Sequence, residues 1–482
     1  MFVKRFFEPR LAQTSYLLGC KAAEEAIVID PNRDISQYVR AAEEEGVQIR
    51  HVTETHIHAD FLSGARELAA GTGARLYLSD EGDAAWKYGF ARESSATLLK
   101  SGDRIKVGNV SLEAVHTPGH TPEHLTYLVT DGAAANEPLA ALSGDFIFVG
   151  DVGRPDLLER AANVKGTMEA GARTLYQSLQ RFQSRPDWLQ IWPAHGAGSA
   201  CGKSISDLPQ STLGYERRFN WAFGVHDEAE FVRRVLAGQP DPPKYFAEMK
   251  RLNRDGPAML NGFRRPARLD LDALDRALAE RALVIDARPP AEFAVSHVPG
   301  TFNIPLDSSF ITWAGWFVPY TADFFLIVEE RKPQAIDMAV RDLALIGLDR
   351  IGGYFDGTIV DAWTAAGRPV GNVRQITPGD LQQSLEHGGV TLVDVRTQNE
   401  WDSGHIARAR HIPLTQLAER VDEIPRARPI VVQCAAGTRS SIAASLLRAR
   451  GVDNVLNLTG GIGEWMRRGM NVDIAKAERS EA

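Results

Sequence analysis

Histidines and aspartates spaced for metal binding stand out first. T-H-I-H-A-D, Thr55 to Asp60, puts His56, His58 and Asp60 at alternating positions just past an apolar stretch around His51–Val52. T-P-G-H (Thr117 to His120), S-G-D (Ser143 to Asp145) and P-A-H-G (Pro193 to Gly196) follow in order. Each sets one His or Asp directly after a run that reads as a strand. A single such histidine is more often an ordinary core or surface residue. Four ordered motifs describe side chains converging at strand ends on one edge of a sheet, where loops gather functional groups. Imidazole and carboxylate together make a donor set for a divalent cation.

A second constellation is built on sulfur. P-I-V-V-Q-C-A-A-G-T-R-S, Pro429 to Ser440, reads as a short apolar strand ending at Cys434, a turn of small residues, and a helix starting near Ser440. The loop of Cys434, Ala435, Ala436, Gly437, Thr438 and Arg439 would ring the sulfur with backbone N–H groups. A helix N-terminus behind it and Arg439 closing it stabilise a thiolate, or an anionic persulfide, in the same way.

The elements that must hold these residues alternate. Strands are expected at Ser15–Leu18, Ala26–Ile29, Leu76–Leu78, Val110–Val115, His124–Val129 and Leu189–Trp192, and helices at about 36–45 and 166–182. A more helical stretch runs from Gly214 to Leu252, and N-R-D-G-P, Asn253 to Pro257, reads as a break opening a linker through Arg265. Beyond it lies an internal repeat. L-V-I-D-A-R (Leu283 to Arg288) recurs as T-L-V-D-V-R (Thr391 to Arg396), and Glu292, His297 and I-P-L at Ile304 recur at Glu400, His405 and Ile412, each 108 positions later. Two copies of one α/β domain with a parallel sheet follow. The first copy has no cysteine: its loop region reads F-F-L-I-V-E-E-R-K-P-Q, Phe324 to Gln334, where Glu329 and Glu330 would repel a sulfur anion. That copy is expected to be catalytically dead, a spacer or docking surface.

Bulk properties narrow the field. The 482 residues suggest about three domains, 44% are hydrophobic, and the net charge of −8 is interspersed rather than blocked. That argues against nucleic acid and against a basic membrane face. No apolar run is of bilayer length and no signal-peptide core opens the chain, so the expected location is cytoplasmic. Three scattered cysteines, Cys20, Cys201 and Cys434, make neither a disulfide framework nor a C-x-x-C zinc pattern. Cys20 reads as core. The polar last dozen residues are expected to be disordered.

The histidine–aspartate set resembles the metallo-β-lactamase superfamily over roughly residues 1–250. That family's motif is usually H-x-H-x-D-H and serves two metals, but Phe61 stands at the last position. A phenyl ring cannot coordinate a cation, which counts against two-metal hydrolysis, where ions ~3.5–4 Å apart share the attacking water. The persulfide dioxygenases of that superfamily bind one iron, and G-D-V-G-R-P-D-L, Gly150 to Leu157, looks like their downstream segment. The resemblance implies one Fe(II) per chain on His56, His120 and Asp145, with His58, Asp60 and His195 orienting ligands or water. The implied chemistry oxidises a small thiol persulfide with O₂ to sulfite. Arg154 would hold an anionic part of the substrate or form a structural salt bridge, and Cys201 and Lys203, within a few residues of His195, are candidates to orient ligands or meet the substrate, Cys201 either meeting the persulfide or serving as a small buried core residue.

The cysteine loop resembles that of rhodaneses, six residues from Cys434 to Arg439, with D-V-R, Glu400-Trp401 and G-G-I-G-E-W (Gly460 to Trp465) matching the rest of the domain. Related phosphatase and arsenate-reductase loops are one residue longer. The whole order resembles bacterial persulfide dioxygenase–sulfurtransferase fusions. The expected architecture is therefore a metallo-β-lactamase αββα sandwich over 1–255, an inactive rhodanese-like domain over 266–371 and an active one over 375–474. Sulfite would become thiosulfate at Cys434. The rivals are a glyoxalase II-like thioester hydrolase with an accessory rhodanese, and a non-catalytic persulfide sensor. The carrier thiol, the direction of sulfur transfer, homo-oligomer formation and the choice of iron over zinc stay open.

Overall fold

The computed structural model describes all residues except 163–165, 333 and 475–482, so most of the polar C-terminal stretch lies outside the described residues. The chain divides into two compact units, Met1–Phe263 with Arg341–Leu348, and Arg264–Val340 with Asp349–Ala482.

The first unit is built on two six-stranded sheets. One runs Phe2–Glu8, Gln13–Cys20, Glu25–Ile29, Gln48–Thr53, Arg75–Ser79, Thr97–Leu99; the other runs Ser211–Thr212, Gln190–Pro193, Ala140–Gly144, Leu125–Asp131, Val110–His116, Arg104–Val107. Side chains alternate across a strand, so a sheet covered on both faces needs apolar residues at every position. Glu25–Ile29 shows this. Ala26 and Val28 pack under the helices Ser36–Glu45 and Ala65–Thr72, whereas Ile27 and Ile29 meet Leu112, Tyr127 and Leu142 of the other sheet. On the far side, helices Thr167–Phe182 and Glu228–Leu236 bury Leu175, Leu179 and Phe231 against Leu128, Ala141 and Ile191. The result is an αββα sandwich.

All six expected strands and both helices of this region are present. Phe2–Glu8 escaped the sequence reading because it is a half-exposed strand at the sheet's edge, carrying Lys4 and Arg5. One expectation is corrected. Asn253 does not open a linker: the helix Tyr245–Asp255 continues through it, and its side chain is buried.

The second unit holds two sheets whose strand pairs are all parallel. The first runs Phe302–Asn303, Leu283–Asp286, Phe324–Val328, Ile351–Asp356. The second runs Arg410–His411, Thr391–Asp394, Ile430–Gln433, Val455–Leu458, Arg374–Ile376. The order is the same, with the fifth strand of the second sheet reduced in the first to a bridge between Arg268 and Tyr354. The repeated residues do the same work twice. Asp286 grips Arg288 (2.6 Å) as Asp394 grips Arg396 (2.6 Å), and His297 stacks on Phe293 as His405 stacks on Trp401. Among the described residues no helix is long and apolar enough to cross a membrane.

Candidate metal centre and cysteine loop

Four loops leave the same edge of the sandwich. Gln48–Thr53 delivers His56, His58 and Asp60; Val110–His116 delivers His120; Ala140–Gly144 delivers Asp145; Gln190–Pro193 delivers His195. All six side chains are buried. Donor atoms of His56, His120 and Asp145 lie within 4.8 Å of one another, and those of Asp60, His195 and Cys201 form a second such group.

Hydrogen bonds settle which ring nitrogen is free. His120 Nδ1 meets the Arg154 carbonyl at 3.0 Å and His195 Nδ1 meets the Ala12 carbonyl at 3.0 Å, so each Nδ1 carries the proton. His56 Nδ1 lies 2.9 Å from Thr55 Oγ1, whose own proton goes to Asp30 Oδ2 at 3.0 Å; the hydroxyl must therefore accept from the ring. In the neutral ring Nε2 is then left as a lone pair, the state in which imidazole ligates metal. Burial holds the His56 pKa well below its ordinary value and lowers that of His120, which keeps both neutral.

The lone pairs point at oxygen. His120 Nε2 lies 3.4 Å from Asp145 Oδ2, and His195 Nε2 lies 3.3 Å from Asp60 Oδ2 and 3.4 Å from Asp145 Oδ1. Lone pair against carboxylate is repulsive without a cation between them. His56 Nε2, His195 Nε2 and both oxygens of Asp60 and Asp145 have no hydrogen-bond partner although buried. Such orphaned groups cost ~1–3 kcal/mol each, more when charged. A bound cation removes that cost, so these residues fit a metal.

Around the donors lies a shell that sequence reasoning missed. Asp30, in the left-handed region at φ 53°, accepts from Thr55 N–H (2.7 Å) and His58 Nε2 (3.1 Å) as well as from the Thr55 hydroxyl. Burial would lower the His58 pKa, but Asp30 overrides it and pushes it up to about 9. His124 accepts the Asp145 N–H at 3.1 Å. Gly144, at φ 53°, must lack a side chain, since a Cβ would come within 2.6 Å of the His124 ring and 2.7 Å of Thr55 Oγ1. Asn253 donates to the carbonyls of His58 and Phe61, both at 2.8 Å, and accepts the Ser63 N–H at 2.9 Å, clamping the T-H-I-H-A-D loop. Phe61 is fully buried, its ring 4.4 Å from that of His58. The only local signal for Asp30 was its place at a strand end; nothing local marked Asn253.

In the second unit, Cys434 follows the strand Ile430–Gln433 and is 1% exposed. Sγ accepts from the Gly437 N–H at 3.1 Å and from the Ser440 hydroxyl at 3.4 Å, and the helix starts at Thr438, slightly before the expected Ser440. Gly461, at φ 56°, packs so closely that a Cβ would sit 2.2 Å from the Cys434 carbonyl oxygen. Arg439 does not face the sulfur alone. Glu400 takes both its terminal nitrogens, at 2.6 and 2.7 Å. Burial would raise the Glu400 pKa, yet Arg439 brings it down to about 2. In the first copy Asp286 pairs with Ile327 as Asp394 pairs with Gln433, which puts Val328 at the register position of Cys434. There Glu292 faces Glu329, and burial with that carboxylate raises its pKa.

Residues 9–195 match the metallo-beta-lactamase superfamily. A probable metallo-hydrolase of Burkholderia pseudomallei is 31% identical over 220 residues, 40% of this chain and 72% of that protein. The chain belongs to the metallo-beta-lactamase superfamily. A metallo-beta-lactamase crystal structure from Staphylococcus aureus superposes with a TM-score of 0.68 at 43% identity, covering 74% of this chain and 99% of that one. The mitochondrial persulfide dioxygenase of Bos taurus is 28% identical over 238 residues, 48% of this chain and 80% of that protein. Residues 377–468 match the rhodanese-like domain.

Within the metallo-beta-lactamase unit, three flanking residues take distinct places. Arg154 is fully buried, paired with Asp156 through two 2.7 Å bonds and donating to the Ala200 carbonyl at 2.9 Å. Its guanidinium is thus occupied structurally, and its carbonyl orients His120. Lys203 turns away to the carbonyls of Arg234 and Ala237 at the end of the helix Glu228–Leu236. Cys201 stays at the site, where burial and then the Asp145 and Asp60 carboxylates raise its thiol pKa well above the ordinary value.

Proposed function

We propose that the metallo-beta-lactamase unit is a mononuclear non-haem Fe(II) persulfide dioxygenase and that the rhodanese-like domain transfers sulfur through Cys434. One observation carries the first half. The Nε2 atoms of neutral His56 and His120 and the Asp145 carboxylate converge, with His56 Nε2 and both Asp145 oxygens lacking hydrogen-bond partners, while Phe61 occupies the position where the family motif has a further imidazole. Two histidines and one carboxylate leave open positions on Fe(II), which supplies the redox chemistry that joins dioxygen to a persulfide sulfur.

The chain's own residues do the rest. Thr55 and the Arg154 carbonyl hold the two rings, His124 holds the backbone of Asp145, and Asn253 holds the loop that carries His56. Phe61 and Phe148, packed on His58 and His195, keep the pocket dry. Overall, R–S–SH, O₂ and H₂O give R–SH, sulfite and two protons; the outer sulfur loses four electrons and dioxygen takes them up. At Cys434 the thiolate attacks the outer sulfur of a persulfide, the S–S bond breaks and R–S⁻ leaves with the electron pair. Sulfite then accepts that outer sulfur from Cys434, yielding thiosulfate and the free thiolate.

A two-metal thioester hydrolase is the rival reading, favoured by the Asp60–His195–Cys201 group, which could seat a second cation without an imidazole at position 61. Metal content and oxygen uptake on anaerobically purified protein given glutathione persulfide separate the two. One iron per chain with persulfide-dependent O₂ consumption, lost in His120→Ala, is the expected result. Two zincs, no O₂ uptake and thioester hydrolysis would replace this reading with the hydrolase. For the second half, Cys434→Ser should abolish thiosulfate formation while sulfite accumulates; thiosulfate at the parent rate would refute it.

A further inference from the structure

A cavity of about 630 Å³ opens beside the Cys434 loop. On one side are Gly437 and Thr438, the first of which donates its N–H to the cysteine sulfur. The opposite wall comes from the first copy of the repeat: Pro290, Ala294 and Val295, on the helix Pro290–Val295. The chain that leaves the first copy is tied back onto it at this point. Val373 N–H bonds the Ala294 carbonyl at 2.8 Å, and Gly371 exchanges two backbone bonds with His297 (2.9 and 3.0 Å).

The chemistry of the walls is selective. None of the lining residues is Lys, Arg, Asp or Glu. An inorganic sulfur anion is recognised by cationic groups, and the one arginine of the loop is held by Glu400 rather than lining the cavity. The volume falls in the ~300–1,000 Å³ range of sites for organic molecules. Val295 is 78% exposed, an apolar side chain left in solvent at the cavity wall.

One polar group there lacks a partner. Gln375 Nε2 donates to the Val373 carbonyl at 3.0 Å, so its Oε1 must be the atom that accepts from Asn457 Nδ2 at 3.0 Å. That fixes the orientation of the Asn457 amide and leaves its Oδ1 buried without a hydrogen bond. A buried acceptor of this kind is matched by an N–H or O–H donor on a ligand. An amide N–H supplies one without adding charge, as a hydroxyl also does.

We propose that this cavity binds the carbon-bearing arm of an organic persulfide, an uncharged arm containing an amide, and that the cysteine-free first copy thereby selects which thiol exchanges sulfur with Cys434. The inference rests on the sulfur-transfer reading of Cys434. The arm lies against Pro290, Ala294 and Val295, its amide N–H reaches Asn457 Oδ1, and its outer sulfur is attacked by the Cys434 thiolate as R–S⁻ departs.

The test compares kcat/KM for sulfur transfer to cyanide from three donors: pantetheine persulfide (uncharged, two amides), glutathione persulfide (three charged groups) and thiosulfate. Val295→Trp blocks the wall at an exposed position that folding does not depend on, and Asn457→Leu removes the acceptor. The full chain should prefer pantetheine persulfide to glutathione persulfide. In both variants the ratio of kcat/KM for pantetheine persulfide to that for thiosulfate should fall about tenfold, chiefly through KM, which is about 1.4 kcal/mol of selective binding. A ratio within twofold of the parent in Val295→Trp, with Cys434-dependent turnover of thiosulfate intact, overturns the role of the first copy alone. No Cys434-dependent transfer from any donor overturns the sulfur-transfer reading beneath it.

Discussion

Replacing Asn253 by Leu tests whether the metal loop is held by a helix distant in sequence. The side chain is buried at 1% exposure and makes three backbone hydrogen bonds: to the His58 carbonyl, to the Phe61 carbonyl and from the Ser63 N–H. Leucine matches its volume but none of its polar atoms, so two carbonyls and one amide lose a partner at once. At ~1–3 kcal/mol for each buried group left unsatisfied, and with some water entering in relief, the loss is about 3–4 kcal/mol. That is a large part of a typical 5–15 kcal/mol. For a unit of this size it lowers Tm by roughly 2–4 °C per kcal/mol, or about 6–16 °C. Because the affected backbone carries His56 and Asp60, metal affinity should fall with stability. The assay is calorimetry of metal-loaded and chelator-treated protein, with metal content measured after gel filtration. Asn253→Leu protein with unchanged Tm and full metal content would refute the argument that this side chain holds the loop.

Phe61→His restores the imidazole of the two-metal motif next to Asp60 in the chain, and zinc titration should then rise from one to two equivalents per chain while persulfide oxidation falls; unchanged stoichiometry would show that Phe61 is not what limits the site. The Glu400 pKa of about 2 lies below the ~4.3 of an unfolded glutamate, so the Arg439 pair stabilises the fold above about pH 4.5 and is lost as pH falls toward 2. With Glu400 about one-third exposed, at 34%, screening reduces its worth to about 1 kcal/mol. Glu400→Gln should therefore lower the unfolding midpoint of the rhodanese-like domain at pH 7 but scarcely at pH 2.5. An equal difference at both pH values would contradict the ion-pair account.

The residue types and their order already carried much of this protein. A strand end followed at once by His or Asp is a local pattern, because side chains emerging at a sheet edge need no distant partner to be placed there. The cysteine loop was equally legible, since strand, small residues and helix start are consecutive. So was the repeat, whose Asp-x-Arg and aromatic–His pairs are set by neighbours within a few positions in the chain.

What tertiary structure alone decided is where polar atoms end up when distant segments meet. Nearness in sequence suggested roles at the site for Arg154 and Lys203, yet Asp156 and the end of a later helix claim their charges. Asn253 read as a chain break and proved to be a clamp, because a hydrogen bond depends on three-dimensional direction rather than on residue order. The hydrogen-bonded nitrogen of His120 and of His195 is set by the distant Arg154 and Ala12 carbonyls, and that of His56 by its neighbour Thr55, whose hydroxyl the distant Asp30 turns. The cavity beside the Cys434 loop likewise exists only because two copies of one fold pack together. Sequence by itself determined which chemistries this chain can carry; packing determined which atoms are left unpartnered to perform them.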